Sequence, residues 1–221
     1  MTTLSASPLS ILLARLFADA DSSLAAIMPT VMAMPAAERA AMLTSTTDYR
    51  AVYSRMKDVH LAVSRETASL LYMLARSMRA RAIVEFGTSF GISTLHLAAA
   101  LRDNGGGRLI TSEFEPSKVA HARENFAAGG LSDLIEIRAG DALATLAHGL
   151  PEQIDLVLLD GAKGLYPAIL ALVEPHLRPG ALVVADNADM CPEYLARIRA
   201  SAHGYVSLPL TGDVELSMRT S

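Results

Sequence analysis

Two acidic residues stand where apolar runs stop. Ile154-Asp-Leu-Val-Leu-Leu ends at Asp160, with Lys163 three residues on, and Ala181-Leu-Val-Val-Ala ends at Asp186, with Asn187 next. Continuous apolar runs bounded by turn residues, such as Pro179-Gly180, suit strands covered on both faces, and ligands in such sheets collect where the strands end. Two carboxylates and a carboxamide are hard oxygen donors, the chemistry of Mg²⁺ rather than of a thiolate-bound metal. A lysine beside them is a candidate proton acceptor. Each aspartate alone could be no more than a turn or helix cap. The conjunction of Asp160, Lys163, Asp186 and Asn187 is what argues for a site.

A second set lies upstream. Glu85-Phe-Gly87-Thr-Ser-Phe-Gly91 follows an apolar run and opens another, Glu113 closes the next apolar run, and Gly140-Asp141-Ala142 follows a third. A glycine turn lets backbone approach a ligand, a helix start offers free N–H groups, and an acid after the next strand can accept from ribose hydroxyls. A dinucleotide fold would require G-x-G-x-x-G, but Ser89 occupies the second glycine position, so a pyrophosphate is poorly served. An acid two residues before the first glycine suits a cationic, amino-acid-bearing ligand. That combination points to S-adenosylmethionine. Asp141 has a second reading, as the N-cap of a helix from Ala142 to Leu146.

These residues need strands and helices to carry them. From Ala82 onward the pattern alternates, with strands at Ala82–Phe86, Leu109–Ser112, Ile135–Arg138, Ile154–Leu159 and Ala181–Ala185, and helices at Ile92–Leu101 and Pro116–Ala128. Such alternation is the signature of βαβ units. Residues 1 to about 79 read as helices: Leu9–Phe17 after Ser7-Pro8, Ala36–Leu43 after Pro35, and a longer one N-capped by Ser64 with Leu70, Leu71, Leu74 and Met78 at helical spacing. The first 56 residues form an N-terminal segment whose expected role is a packing layer or oligomer contact, with a lid over the substrate as the alternative. Residues 57–221 form the principal domain.

Composition narrows the function. At 221 residues and 51% hydrophobic, the chain can bury a full core, and its net charge of −4 with scattered basic residues gives no footprint for a nucleic-acid backbone. Cys191 has no partner for an internal disulfide, and no stretch approaches the length of a membrane span, so a cytoplasmic, soluble protein is expected. The histidines show no metal-binding spacing. Cys191 reads as a pocket-lining or an inert buried thiol, and Tyr166 as packing or a pocket wall. Lysine occurs only at positions 57, 118 and 163, which lends weight to Lys163.

From about Lys57 to the C-terminus the chain resembles the Mg²⁺-dependent class I O-methyltransferases, the group that contains catechol O-methyltransferase and the caffeoyl-CoA O-methyltransferases. Asp160-x-x-Lys163 and Ala185-Asp186-Asn187, followed by Cys191-Pro192, carry the likeness. The resemblance implies an α/β, Rossmann-like fold: a seven-stranded, mostly parallel sheet with helices on both faces, preceded by N-terminal helices, its antiparallel strand near Val214–Met218. It implies that Val63 and Ser64 border the methionine end of S-adenosylmethionine, that Glu85, Gly87, Ser89 and Ser93 line the amino-acid portion, and that Glu113 holds the ribose. Asp141 and Ala142 would flank the adenine, with Asp160 adjoining the cofactor. Asp160, Asp186 and Asn187 match the Mg²⁺ ligands and Lys163 the general base.

The chain departs from the pattern at two places. Gly161-Ala162 stand where the caffeoyl-CoA type usually carries an acid. The loop from Ser201 to Thr211 lacks the glutamate that orients the second hydroxyl in catechol O-methyltransferase, while Asp213 and Glu215 fit a terminal strand. The expected activity is methyl transfer to a small acceptor with adjacent oxygens, an aromatic diol above all, by an enzyme that forms a homodimer and binds neither nucleic acid nor membrane. A hydroxylated nucleoside, a natural-product intermediate and a non-catalytic scaffold are the alternatives.

Overall fold

The computed structural model describes residues 1–210 and 213–221; Thr211 lies outside them, and the segment from Ser201 read as a loop instead holds a strand at Tyr205–Pro209, paired with the last strand of the chain. The chain opens with helices α1 (Leu9–Ala33), α2 (Ala36–Leu43), α3 (Tyr49–Arg55) and α4 (Arg65–Ser77). Strands and helices then alternate as β1 (Ala82–Phe86), α5 (Ile92–Asp103), β2 (Arg108–Glu113), α6 (Pro116–Ala128), β3 (Ile135–Ala139), α7 (Ala142–Thr145), β4 (Ile154–Leu159), α8 (Tyr166–Val173), β5 (Leu177–Ala185) and α9 (Pro192–Arg199). Strands β6 (Tyr205–Pro209) and β7 (Glu215–Arg219) close the chain.

The strands form one seven-stranded sheet in the order β3-β2-β1-β4-β5-β7-β6, parallel except for β7, which runs against both β5 and β6. Alternate side chains of the central strands point to opposite faces, as the two-residue period of a strand requires. Ile83, Leu109, Leu156, Leu158 and Val184 pack beneath α1, α4, α5 and α6. Val84, Ile110, Val157, Leu159 and Val183 pack against α7, α8 and α9. Both faces are covered, which is why these runs are apolar without interruption.

Local signals explain the element ends. Ser64 caps α4 by accepting from the Thr67 amide, and Ala68, Leu71 and Ala75 form the buried stripe. α5 is buried on nearly every side, from Ile92 to Leu101. Three features differ from the sequence expectation. α1 runs to Ala33 rather than ending near Phe17, because alanine and leucine keep the helix going past its last buried residue, Ala20, and past Pro29. α3 was not anticipated at all. β5 begins at Leu177, with a register shift beside Pro179-Gly180. No helix among the described residues is long and apolar enough to cross a membrane.

The register sets the site. Phe86 pairs with Leu159, and Leu159 with Ala185, so β1, β4 and β5 end level with one another. The ladder continues one residue further, with the Asp160 amide donating to the Phe86 carbonyl (2.8 Å) and the Asp186 amide to the Leu159 carbonyl (2.9 Å). Both aspartates are therefore held by backbone at the same edge.

Candidate active site

Lys163 sits in a short turn after β4, its side chain only 8% exposed, and donates to Asp160 Oδ1 at 2.9 Å. Its second contact is the Tyr166 hydroxyl at 3.0 Å, which itself lies 2.8 Å from the Leu159 carbonyl and 2.7 Å from that of Asp186. Tyr166 is buried and lines neither of the cavities described below. It props the lysine from below and ties the ends of β4 and β5 together. Cys191 is likewise packed in the core on this face.

Asn187 occupies the left-handed region at φ 49°. Its amide nitrogen donates to Asp213 Oδ2 at 2.6 Å, and the Ala188 amide donates to the Asp213 carbonyl at 2.8 Å. Asp213 thus lies ahead of β7 rather than within it, correcting the expectation of a strand residue. Glu215 does belong to β7, where Arg199 and Ser207 bind it.

The electrostatics are those of a site short of positive charge. Burial and the neighbouring charge of Asp160 push Asp186 up to about 7. Burial raises Asp160 too, against the pull of Lys163. For Lys163, burial acts to lower the pKa, but the charges around it, Asp160 first, outweigh burial and hold it above the usual lysine value. One ammonium therefore faces Asp160 and Asp186, with the charge of Asp213 acting on both aspartates. With the Asn187 nitrogen engaged, its carbonyl oxygen is the end left for a cation, so two carboxylates and a carboxamide oxygen fit a hard divalent ion. Among the described residues no three His, Cys, Asp or Glu side chains make a ready cage, so such an ion would keep positions open for other oxygens.

A groove runs from this edge along the ends of β1, β2 and β3. Gly87, Ser89, Glu113, Asp141, Ala142 and Asp160 all line it. Gly87, at φ 103°, brings the turn onto the next loop so closely that a Cβ would stand 2.7 Å from the Asp160 carbonyl carbon. Glu113 accepts from the Ser89 amide (2.9 Å) and the Glu115 amide (3.0 Å), which fixes its carboxylate at the groove wall. Ser112, next to it, has a buried hydroxyl with no partner facing the same space. Asp141 caps α7 through the Leu143 amide, and its other oxygen takes the Tyr49 hydroxyl at 2.9 Å and Arg50. Gly161 leaves the space that the Phe86 ring fills; a Cβ there would lie 2.4 Å from it.

Other expected cofactor residues sit elsewhere. Glu85 is wholly buried behind the turn and accepts from Ser93 (2.6 Å), Thr94 (2.5 Å) and Thr111 (2.6 Å). Burial pushes it up to about 7. Val63 is buried in the α4-side core, and Ser93 faces a narrow side pocket with Thr88 and His60.

Sequence reasoning missed Tyr49, Tyr53 and Lys118 in the groove wall. Tyr49 and Tyr53 are spaced i, i+4, which on a helix puts them on one face, a readable signal in a chain with only 6 tyrosines. The rarity of lysine marked Lys118 as much as Lys163. Beyond Tyr53 and Gly161 lies a second cavity of about 590 Å³, with Asp160, Lys163, Asp186, Asn187 and Asp213 at one end. Asp160 and Gly161 form the partition between the two spaces.

Residues 84–188 match a family described as a methyltransferase domain. The chain is 36% identical over 130 residues to catechol O-methyltransferase of Niastella koreensis, covering 58% of each protein. It is 35% identical over 127 residues to catechol O-methyltransferase of Mycobacterium tuberculosis, covering 58% of this chain and 57% of the relative. The match thus spans less than two thirds of these relatives' length. Among solved structures, the O-methyltransferase TomG of Streptomyces achromogenes, involved in tomaymycin synthesis and solved with SAM, superposes with a TM-score of 0.65. It shares 26% identity, over 93% of this chain and 99% of that one.

Proposed function

We propose that the chain is a class I S-adenosylmethionine O-methyltransferase, as the methyltransferase-domain match over residues 84–188 and the likeness to catechol O-methyltransferases support, and that it moves the methyl group of S-adenosylmethionine onto one hydroxyl of a small acceptor with adjacent oxygens, an aromatic diol. The observation that carries this reading is the meeting of Asp160, Lys163, Asp186 and Asn187 at one end of the cavity, where Asp160 also borders the groove. A methyl donor on one side and a hydroxyl on the other would be held across the partition of Asp160 and Gly161, and such orientation accounts for much of the acceleration of a displacement.

The chain's own residues divide the work. Glu113 accepts from the ribose hydroxyls, with the unpartnered Ser112 hydroxyl beside it, and Tyr53 closes the groove toward the acceptor. Asp160, Asp186 and the Asn187 carbonyl oxygen would hold Mg²⁺. When bound, that ion would supply Lewis acidity toward an acceptor hydroxyl and positive charge beside the carboxylates that now keep the proton on Lys163. With its own proton released to solvent, Lys163, held by Tyr166, would take the hydroxyl proton at Nζ as the acceptor oxygen bonds to the methyl carbon and the carbon–sulfur bond breaks to leave the thioether.

The test is transfer of labelled methyl from S-adenosylmethionine to catechols, with Mg²⁺ and then with excess EDTA. Product that disappears with EDTA, and is lost in Asp160→Ala and Asp186→Ala, is the expected result. Near-normal turnover in either variant under saturating Mg²⁺ would sink the metal assignment.

A further inference from the structure

The acceptor cavity is far larger than the diol end requires, and its walls divide by chemistry. One end holds the charged groups. The rest is lined by Leu24 from α1, Leu43 from α2, Met56 just past α3 and Met190 after β5, so the N-terminal helices supply much of an apolar wall. A volume of about 590 Å³ is that of a site for a drug-sized ligand, not for a single ring. Methionine and leucine side chains suit an apolar, aromatic body without demanding one shape.

Charge narrows the class further. The cavity's acids are Asp160, Asp186, Asp213 and Glu66, against Lys163 as the one lysine or arginine lining it among the described residues, and Lys163 is already paired with Asp160. Phosphate-bearing groups are recognised by free cations and bidentate arginines; among the described residues no arginine faces this space, and its one lysine is held by Asp160.

Resting on the reading above, we propose that the acceptor is an aromatic diol joined to a sizeable apolar body, uncharged or cationic, and not a phosphate-bearing thioester such as a coenzyme A ester. The diol end meets the Asp160–Asp186 edge and the body lies in the part of the cavity lined by α1 and α2.

Affinity in the full chain with Mg²⁺ and S-adenosylhomocysteine, measured by calorimetry, tests this apart from turnover. The probes are catechol, a phenyl-substituted catechol and caffeoyl-coenzyme A. Burying the extra ring should make the second bind about tenfold tighter than the first or more, with the thioester no tighter than catechol. Leu24→Asp, at a half-exposed position outside the buried core, should narrow the first ratio about threefold. Equal affinities for the two catechols, a preference for the thioester, an unchanged ratio in the variant, or no binding by any probe would each overturn the inference. The expected order of binding without any methylated product would instead retire the proposed reaction and leave the acceptor class standing. Product from all three probes with flat affinities would do the reverse.

Discussion

A carboxamide can present either end to a cation, and at Asn187 the choice is made by Asp213. The 2.6 Å bond from its nitrogen commits the donor end, and the left-handed backbone of Asn187 holds the side chain at the rim of the site. Second partners of this kind orient a ligand and commonly contribute ten- to a hundredfold to metal affinity. Asp213→Ala is expected to weaken Mn²⁺ binding, read by electron paramagnetic resonance, by roughly tenfold or more while the fold persists. Unchanged Mn²⁺ affinity would remove Asp213 from that role. The aspartates, Lys163 and Asn187 were legible because strand ends are marked by the stop of an apolar run. Asp213 was not, since its place depends on how the chain enters an antiparallel strand, which no periodicity records. Glu85 illustrates the opposite limit. Its position beside the glycine turn was plain in the sequence, yet only packing shows that three hydroxyls enclose it.

At the level of elements, α3 covers the groove and is pinned at two points. Tyr49 and Arg50 hold Asp141, and Ser54 reaches Glu115 at 3.1 Å. These contacts lie at the groove's rim, so a nucleoside entering there must loosen them or pass beneath them. Replacing both Tyr49 by Phe and Arg50 by Ala should speed S-adenosylmethionine dissociation several-fold in stopped-flow measurements, since both contacts to Asp141 are then lost. A dissociation rate equal to that of the parent chain would mean that α3 does not gate the groove. The alternating elements from β1 to β5 could be read from sequence because buried parallel strands and their helices carry strong periodic signals. α3 could not: seven residues with two tyrosines, an arginine pair and no cap hydrogen bond have no strong helical signature, and the helix is shaped by what it covers. The far half of α1 was missed for a different reason: Pro29 reads as a helix stop, although Leu24, Ile27 and Val31 keep helical spacing and Ile27 packs beside α3.

For the whole molecule, partly exposed acids and buried ones set opposing dependences on pH. Asp103, Glu136, Asp141 and Asp155 are held below their usual values, in spite of some burial, by hydrogen bonds and arginines. Their contribution is present above about pH 4 and fades below it. Glu85 and Asp186 are raised to about 7, chiefly by burial, so the folded form keeps protons that the unfolded chain has already lost. Their sign is opposite: stability falls as pH rises from about 4 through about 7, by an order of 3 kcal/mol for each group. The metal-free chain should therefore be most stable near pH 5, and its Tm in EDTA should decline toward pH 8. Glu85→Gln should flatten part of that decline. A divalent cation at Asp160 and Asp186 competes with the same protons, so the rise in Tm on adding Mg²⁺ should be larger at about pH 8 than at about pH 5. A Mg²⁺ effect independent of pH would place the ion away from these two carboxylates, because a ligand that displaces no proton leaves their titration unchanged.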